Sequence, residues 1–373
     1  MKIGFEAQRI FRTNKHGMDF VALEVLKELQ KIDLENEYFV FVAPGDDECL
    51  KETTNFHIIK IGFPTYPLWE QVGLPLALNK YKPDILHCTS NTAPLYCKVP
   101  LIVTLHDIIF LEPLRGENKS TYQNLGRIYR KFVVPKILKH CKKIVTVSNY
   151  EKERIGNFLK LPNDKLIAIY NGFSSHFRVI QDTSSITSNY ISEKEYIFFL
   201  GNTDPKKNVP GTLVAYSLYL KKSSKKLPLL LADLKEEILD KILEENNIRE
   251  IKDYIKLSGY INNKDLPYIY NGANIFLYTS FRESFGIPLL EAMACGTPVI
   301  TGNASALPEI AGDGGILIDV TKPENIAEMI LKLETDKSFY ESQILYGLER
   351  VKSFSWTETA SNLLKEYKKI IKL

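Results

Sequence analysis

The sequence predicts an α/β protein built from two doubly wound parallel sheets, and three observations carry that expectation. Short apolar runs rich in Val, Ile, Leu and aromatics alternate with longer amphipathic stretches. The alternation breaks once, at a polar Ser/Thr-rich stretch, and then restarts. The length of 373 residues suits two domains of roughly 100–200 residues each.

Taken in order, the first half supplies KIGFEA, YFVFVA, DILHCT, LIVTLH, KIVTVS and LIAIYN as strands. Helical patterns lie between them, such as FVALEVLKELQK over 20–31 and YRKFVVPKILKHCKK over 129–143. Strands alternating with helices imply right-handed crossovers and a parallel sheet covered on both faces. The stretch from Ile180 to Glu195 lacks periodicity and reads as a linker. Beyond it YIFFLGN, LPLLLAD, YIKLSGY, IFLYTS, TPVITG and GILIDV are strands. The expected division is a first domain over 1–178, a linker over 179–195 and a second domain over 196–355. Ligands of such sheets bind outside the strand carboxyl ends, so the expected site is a cleft between the two domains.

Composition narrows the function. The 45% hydrophobic and 25% charged content is that of an ordinary globular protein. A net charge of +3 does not advertise a nucleic-acid partner, so none is expected. Five scattered cysteines without a Cys-x-x-Cys pair fit a reducing compartment and argue against a disulfide framework or zinc site. The N-terminus reads as a strand, not a signal peptide, and no run approaches the ~18 apolar residues of a membrane span. The expected location is the cytoplasm. No strand is followed by Gly-x-Gly-x-x-Gly, which disfavours a dinucleotide oxidoreductase.

The chemistry concentrates in residues 275–318. Pro288 suits the first helical position and Gly296 the C-terminal cap. The loop Ser284-Phe285-Gly286-Ile287 therefore offers backbone N–H groups at a helix start, an anion site that Gly286 opens to close approach. Glu283 stands at its entrance. Glu291 is expected in the first turn of the helix, ionised and accepting hydrogen bonds from a diol such as ribose. Taken alone, the two glutamates read more readily as a helix cap and a solvated charge. Lys206 and Lys207, in the loop after YIFFLGN, are point charges suited to a diphosphate, and Lys206 reads equally as a surface charge. His106, after LIVTLH, can hydrogen-bond a sugar hydroxyl or steady developing charge. Its neighbour Asp107 fits an N-cap as well as a site.

The element ESFGIPLLE, continuing as AMACGTPVI and ALPEIAG, resembles the family-4 retaining glycosyltransferases of the GT-B fold, whose two Rossmann-like domains flank a cleft. The resemblance implies that Glu283 approaches the donor sugar, Glu291 binds the ribose, and the amides from Ser284 to Ile287 hold the diphosphate. It makes Lys207 the stronger diphosphate ligand and Lys206 the weaker, since a lysine stands where the family often has arginine. The His106-Asp107 pair resembles members that transfer mannose or rhamnose, which favours GDP-mannose as donor and a catalytic role for His106 beside Glu283 and Lys207. Gly17, within RTNKHGMD, occupies the place of the family's glycine-rich loop and implies a backbone contact to the donor; His16 and Lys15 are candidates for the acceptor. A helix over 356–373 is expected to pack back on the first domain.

The resemblance also implies retention of anomeric configuration by front-face transfer, because no first-domain carboxylate stands out as a nucleophile. No Asp-x-Asp triplet occurs, so neither a metal nor another cofactor is expected. The partners are then a nucleotide-sugar donor and a glycan or lipid-linked saccharide acceptor of polysaccharide biosynthesis. The basic, apolar stretch 127–143 is a candidate for peripheral contact with an anionic membrane at its inner face, and equally a solvated helix interrupted by Pro135. Two other functions stay open: an epimerase or hydrolase of sugar nucleotides on the same fold, and a non-catalytic nucleotide-sugar-binding scaffold.

Overall fold

A computed structural model describes residues 1–13, 15–112 and 121–372, with the backbone alone for 121–123. The chain divides into two compact units, one of residues 1–172 with 355–373 and one of residues 173–354.

In the first unit the described strands are β1 (Lys2–Glu6), β2 (Glu37–Val42), β3 (Phe56–Lys60), β4 (Ile85–Cys88), β5 (Leu101–Thr104), β6 (Lys143–Thr146) and β7 (Leu166–Ala168). They form a sheet of order 3-2-1-4-5-6-7, parallel throughout, with Phe5 level with Val40 on one side and His87 on the other. β3 was not anticipated. Its run FHIIK borders the sheet, and only Phe56 in it is fully buried, so it lacks the apolar density of its neighbours. Inner strands are apolar on both faces because helices cover both. Leu86, Val103 and Ile144 pack on Val134, Ile137 and Leu138 of the helix Thr121–His140 in one such layer.

The helix Trp356–Ile371 belongs to this unit and packs on the helix Gly17–Ile32. Thr359 Oγ1 donates to the Tyr170 carbonyl at 2.6 Å, and the Tyr367 hydroxyl lies 2.6 Å from His87 Nδ1. A Cβ on Gly172 would stand 2.2 Å from the Trp356 amide nitrogen, so glycine there permits the close approach. Of the expected helix over 356–373, residue 373 lies outside the described residues.

In the second unit β8 (Ile197–Leu200), β9 (Leu229–Ala232), β10 (Ile255–Gly259), β11 (Ile275–Tyr278), β12 (Val299–Gly302) and β13 (Ile316–Ile318) form a parallel sheet of order 10-9-8-11-12-13. Ile197 and Phe199 face one helical layer with Leu213 and Leu231. Phe198, between them, faces the other, 5.4 Å from both Tyr270 and Phe276. That two-sided burial explains why these strands read as continuous apolar runs.

Three expectations are corrected. Residues 179–195 are not a free linker but part of the second unit. Their short helix Ser184–Thr187 packs on the helix Leu266–Gly272, and the Ile180 amide donates to Asn271 Oδ1 at 2.7 Å. Polar Ser/Thr content there serves local hydrogen bonding. The basic stretch 127–143 is not one helix: the helix ends at His140, and Lys143 begins β6. Pro135, for its part, sits inside that helix without ending it.

Candidate active site

In the second sheet the strand order reverses between β8 and β11, which pair side by side. Connections leave these strands in opposite directions, opening a crevice beyond their carboxyl ends. The segment after β8 carries Lys206 and Lys207, and the segment after β11 carries Glu283 to Gly286. The Phe281 amide donates to the Lys206 carbonyl at 2.7 Å, so the two segments are tied together.

Lys206 and Lys207 lie on a single 3-10 turn, Pro205–Lys207, started by Asp204, whose carboxylate accepts from the Lys206 amide at 3.0 Å. The Lys207 ammonium lies 2.8 Å from Glu283 Oε1 and 4.8 Å from the centre of the Tyr278 ring. Lys206 is further out, 3.7 Å from Glu283 Oε2 and 3.9 Å from Asp204. The side chains of Lys207 and Glu283 keep 12% and 10% of their exposure, so this pair is shielded from water, whereas Lys206 at 35% is partly screened. Burial alone would raise the Glu283 pKa, but Lys207 and Lys206 outweigh it and hold the carboxyl below its ordinary range. The Glu283 amide is fixed by donating to Ser305 Oγ at 2.9 Å, in the segment after β12.

Gly286 precedes the helix Ile287–Ala294 with φ of +103°, a conformation that favours glycine. Pro288 follows within the first two helical positions, and Gly296 closes the helix with φ of +77°. Phe285 points inward, edge-on to Phe354 with ring centres 6.0 Å apart. The side chain thus anchors the turn.

Glu291 differs from the expectation in two ways. The helix begins at Ile287, so Glu291 falls in the second turn, beyond the amides it was expected to lean on. Desolvation then dominates and raises its pKa to about 8, opposed by the Tyr270 hydroxyl 3.4 Å from Oε2. With its pKa raised, the carboxyl holds a proton more readily near neutral pH than an ordinary glutamate, and in that form it donates one hydrogen bond as well as accepting.

The first unit has its own switch point, between β1 and β4. His106, just beyond β5, is buried, with Nε2 3.0 Å from the Thr89 carbonyl oxygen, and its amide donates to Asn91 Oδ1 at 2.7 Å. Burial lowers its pKa, against the opposing pull of Thr89, Asp107 and Asp19, so the imidazole is neutral at pH 7. It is therefore a hydrogen-bonding group, not a cation. It borders a mainly apolar cavity of about 20 Å³, lined by Phe5, Val21, Val145 and Val147 as well as by His87 and Asn171. Asp107 accepts from the Ile109 amide at 2.9 Å, a local turn contact.

Gly17 is the first residue of the helix Gly17–Ile32, exposed, with open space where a Cβ would stand. His16 caps that helix in a capping box with Asp19. Lys15 donates to the Asp47 carboxylate and to the Arg12 carbonyl. Asn14 of the same loop lies outside the described residues.

Sequence reading passed over Glu6 and Glu70. Glu6 ends β1 with its carboxylate accepting from the amides of Gln8 and Thr89, and burial raises its pKa to about 7. Glu70 is buried beneath Tyr66, Thr92, Gln71 and Tyr129, all of which donate to it. A lone Glu within an apolar run was the available signal.

A doubly wound sheet with two lysines and a helix start at its switch point is the arrangement by which α/β proteins of the nucleotide-binding kind hold phosphates. A family model described as glycosyl transferases group 1 matches residues 181–350, and one described as glycosyltransferase family 4 matches residues 16–176. The chain is 31% identical over 300 residues to O-antigen chain mannosyltransferase B of Escherichia coli, covering 78% of this chain and 76% of that protein. Its structure is similar to a sucrose-phosphate synthase from Thermosynechococcus elongatus, with TM-score 0.76, 17% identity and coverage of 99% and 98% of the two chains. It is also similar to Anabaena HepE in complex with UDP and glucose, with TM-score 0.73, 16% identity and 99% of each chain covered. The chain belongs to the group 1, or family 4, glycosyltransferases, and its two sheets are those of the GT-B fold.

Proposed function

We propose that the second unit binds a nucleotide-diphosphate sugar and that the enzyme transfers its hexose to a glycan or lipid-linked saccharide in polysaccharide biosynthesis, working in the cytoplasm. The observation that carries this reading is the shielded Lys207–Glu283 pair at the switch point, 2.8 Å apart. Lys207, with Lys206 as weaker support, holds the diphosphate together with the amides of Ser284, Phe285, Gly286 and Ile287. Glu283 meets the donor sugar, and Glu291, protonated, gives and takes hydrogen bonds with the ribose hydroxyls. The Gly17 backbone contributes a donor contact, and neutral His106 hydrogen-bonds a sugar hydroxyl. The name of the 31% identical relative supports mannose as the sugar, and the donor we propose is GDP-mannose.

The reaction we propose retains configuration and uses neither a metal nor another cofactor. An acceptor hydroxyl oxygen forms a bond to the anomeric carbon on the face the diphosphate leaves. The bond from that carbon to the phosphate oxygen breaks with its electron pair going to the diphosphate. The departing phosphate oxygen takes the hydroxyl proton. Lys207 and the helix-start amides stabilise the growing negative charge, the main catalytic term.

A thermal-shift panel of GDP, UDP, dTDP and ADP sugars tests the donor, since a ligand of the folded state raises the melting point. GDP-mannose should give the largest shift. Nucleotide release that requires a saccharide acceptor identifies a transferase. Acceptor-free conversion would mean an epimerase or hydrolase, and binding without turnover would mean a scaffold.

A further inference from the structure

The first unit exposes a large apolar surface that none of its catalytic groups explains. On the helix Thr121–His140, Leu125, Ile128 and Phe132 share one face and keep 61%, 63% and 56% of their exposure. On the neighbouring helical segment 66–81, Leu68, Val72 and Leu76 are likewise exposed, Leu76 by 60%. Tyr96, in the segment after β4, is 70% exposed. Polar contacts beneath the surface tie these segments together. Gln71 Nε2 donates to the Tyr129 hydroxyl at 2.7 Å, and the Leu95 amide donates to Gln71 Oε1 at 2.8 Å. Large apolar side chains scattered singly need no explanation, but two adjoining helices with exposed apolar faces do.

Among the described residues, the exposed charge on these two helices has one sign. The helix Thr121–His140 contains no Asp or Glu, while Lys131, Lys136 and Lys139 on it are exposed. Lys136 lies 3.3 Å from the centre of the Phe132 ring, its stem along the apolar face. The one acid of 66–81, Glu70, is buried under its four donors, and Lys98 stands 6.0 Å from the Tyr96 ring centre. Apolar bodies edged with lysines, on two helices whose described residues expose no carboxylate, match a lipid surface with anionic headgroups. A second copy of the chain fits poorly, because a two-fold contact would set these lysines against one another with no acid among the described residues of the two helices to pair.

We propose that Leu125, Ile128 and Phe132, with Leu68, Val72, Leu76 and Tyr96, form a docking surface for an anionic lipid bilayer. It extends the reading of a lipid-linked acceptor, by holding the first unit where such an acceptor is presented, but its geometry does not rest on the donor site.

Co-sedimentation of the whole chain with vesicles of phosphatidylcholine, with and without phosphatidylglycerol, tests it. Binding should require phosphatidylglycerol and weaken with salt. L125S, I128S and F132S should each weaken it about tenfold. K131E combined with K136E should weaken it by at least about tenfold. L76S should weaken it too, showing that the second helix takes part. The nucleotide-sugar thermal shift should stay unchanged in all of these, so failure here and failure of the donor reading are told apart. Folded variants that sediment like the parent, or binding indifferent to phosphatidylglycerol, would overturn the proposal. So would a parent dimer that the same substitutions dissociate, which would make the surface a contact between copies.

Discussion

Lys207 is held against Glu283 at 2.8 Å, one from the segment after β8 and the other from the segment after β11, the two strands at which the second sheet reverses its order. The pair fixes an ammonium in place before any ligand arrives. Replacing Lys207 with methionine should lower turnover by about 10²–10³-fold, the scale of losing one preorganised donor. It also leaves the Glu283 carboxylate with only the more exposed Lys206 beside it, so stability should fall, by less than the ~3–5 kcal/mol of a wholly unpaired buried charge. Adding Glu283→Gln should restore the melting point but not acceptor-dependent nucleotide release. Recovery of both would show the pair to be structural.

Glu291 makes stability pH-dependent in a defined direction. Its folded-state pKa of about 8 lies above the ordinary 4.5, so the protonated form is the one folding favours. Its contribution is full below about 4.5 and is lost as pH rises through about 8. The gap in melting point between Glu291→Gln and the parent should therefore widen as pH climbs across that range. A constant gap in the melting curves would show that burial does not govern this carboxyl.

Gly286 stands at φ of +103°, where a side chain is strained. Gly286→Ala should cost about 1–2 kcal/mol in urea unfolding. Because the strain displaces the amides it precedes, the nucleotide-sugar thermal shift should shrink as well. An unchanged shift would remove the turn from the donor site.

Lysine and amide groups are what the proposed mechanism offers to the diphosphate. Turnover should therefore survive EDTA and gain nothing from added Mn²⁺ or Mg²⁺. A strict metal requirement, measured by nucleotide release, would refute the mechanism while leaving the family intact.

Period and punctuation made most of the fold legible. Buried parallel strands must be apolar on both faces, so runs such as YIFFLGN and LIVTLH stand out from the helices between them. The border strand β3 escaped because one covered face does not demand such density. The stretch 179–195 misled because polar residues that satisfy a folded segment look the same as polar residues in a free one. In the candidate site, loop residues next to punctuating Gly and Pro were readable, and Lys207 and Glu283 do meet. What they lean on was not. Tyr278, Ser305 and Tyr270 come from other strands and segments, and nothing in local spacing connects them to Lys207, Glu283 or Glu291. The protonation of Glu291 was misjudged for the same reason, since desolvation is set by the whole surrounding fold.

The return of the helix Trp356–Ile371 to the first unit bears on how the molecule is made. On the ribosome, residues 1–172 emerge early but lack the partner of the helix Gly17–Ile32 and of His87 until residue 367 has been added. The second unit, continuous from 173 to 354, has all its residues sooner. The first unit is thus completed only after the second, and until then the apolar face of the helix Gly17–Ile32 lacks the helix that covers it.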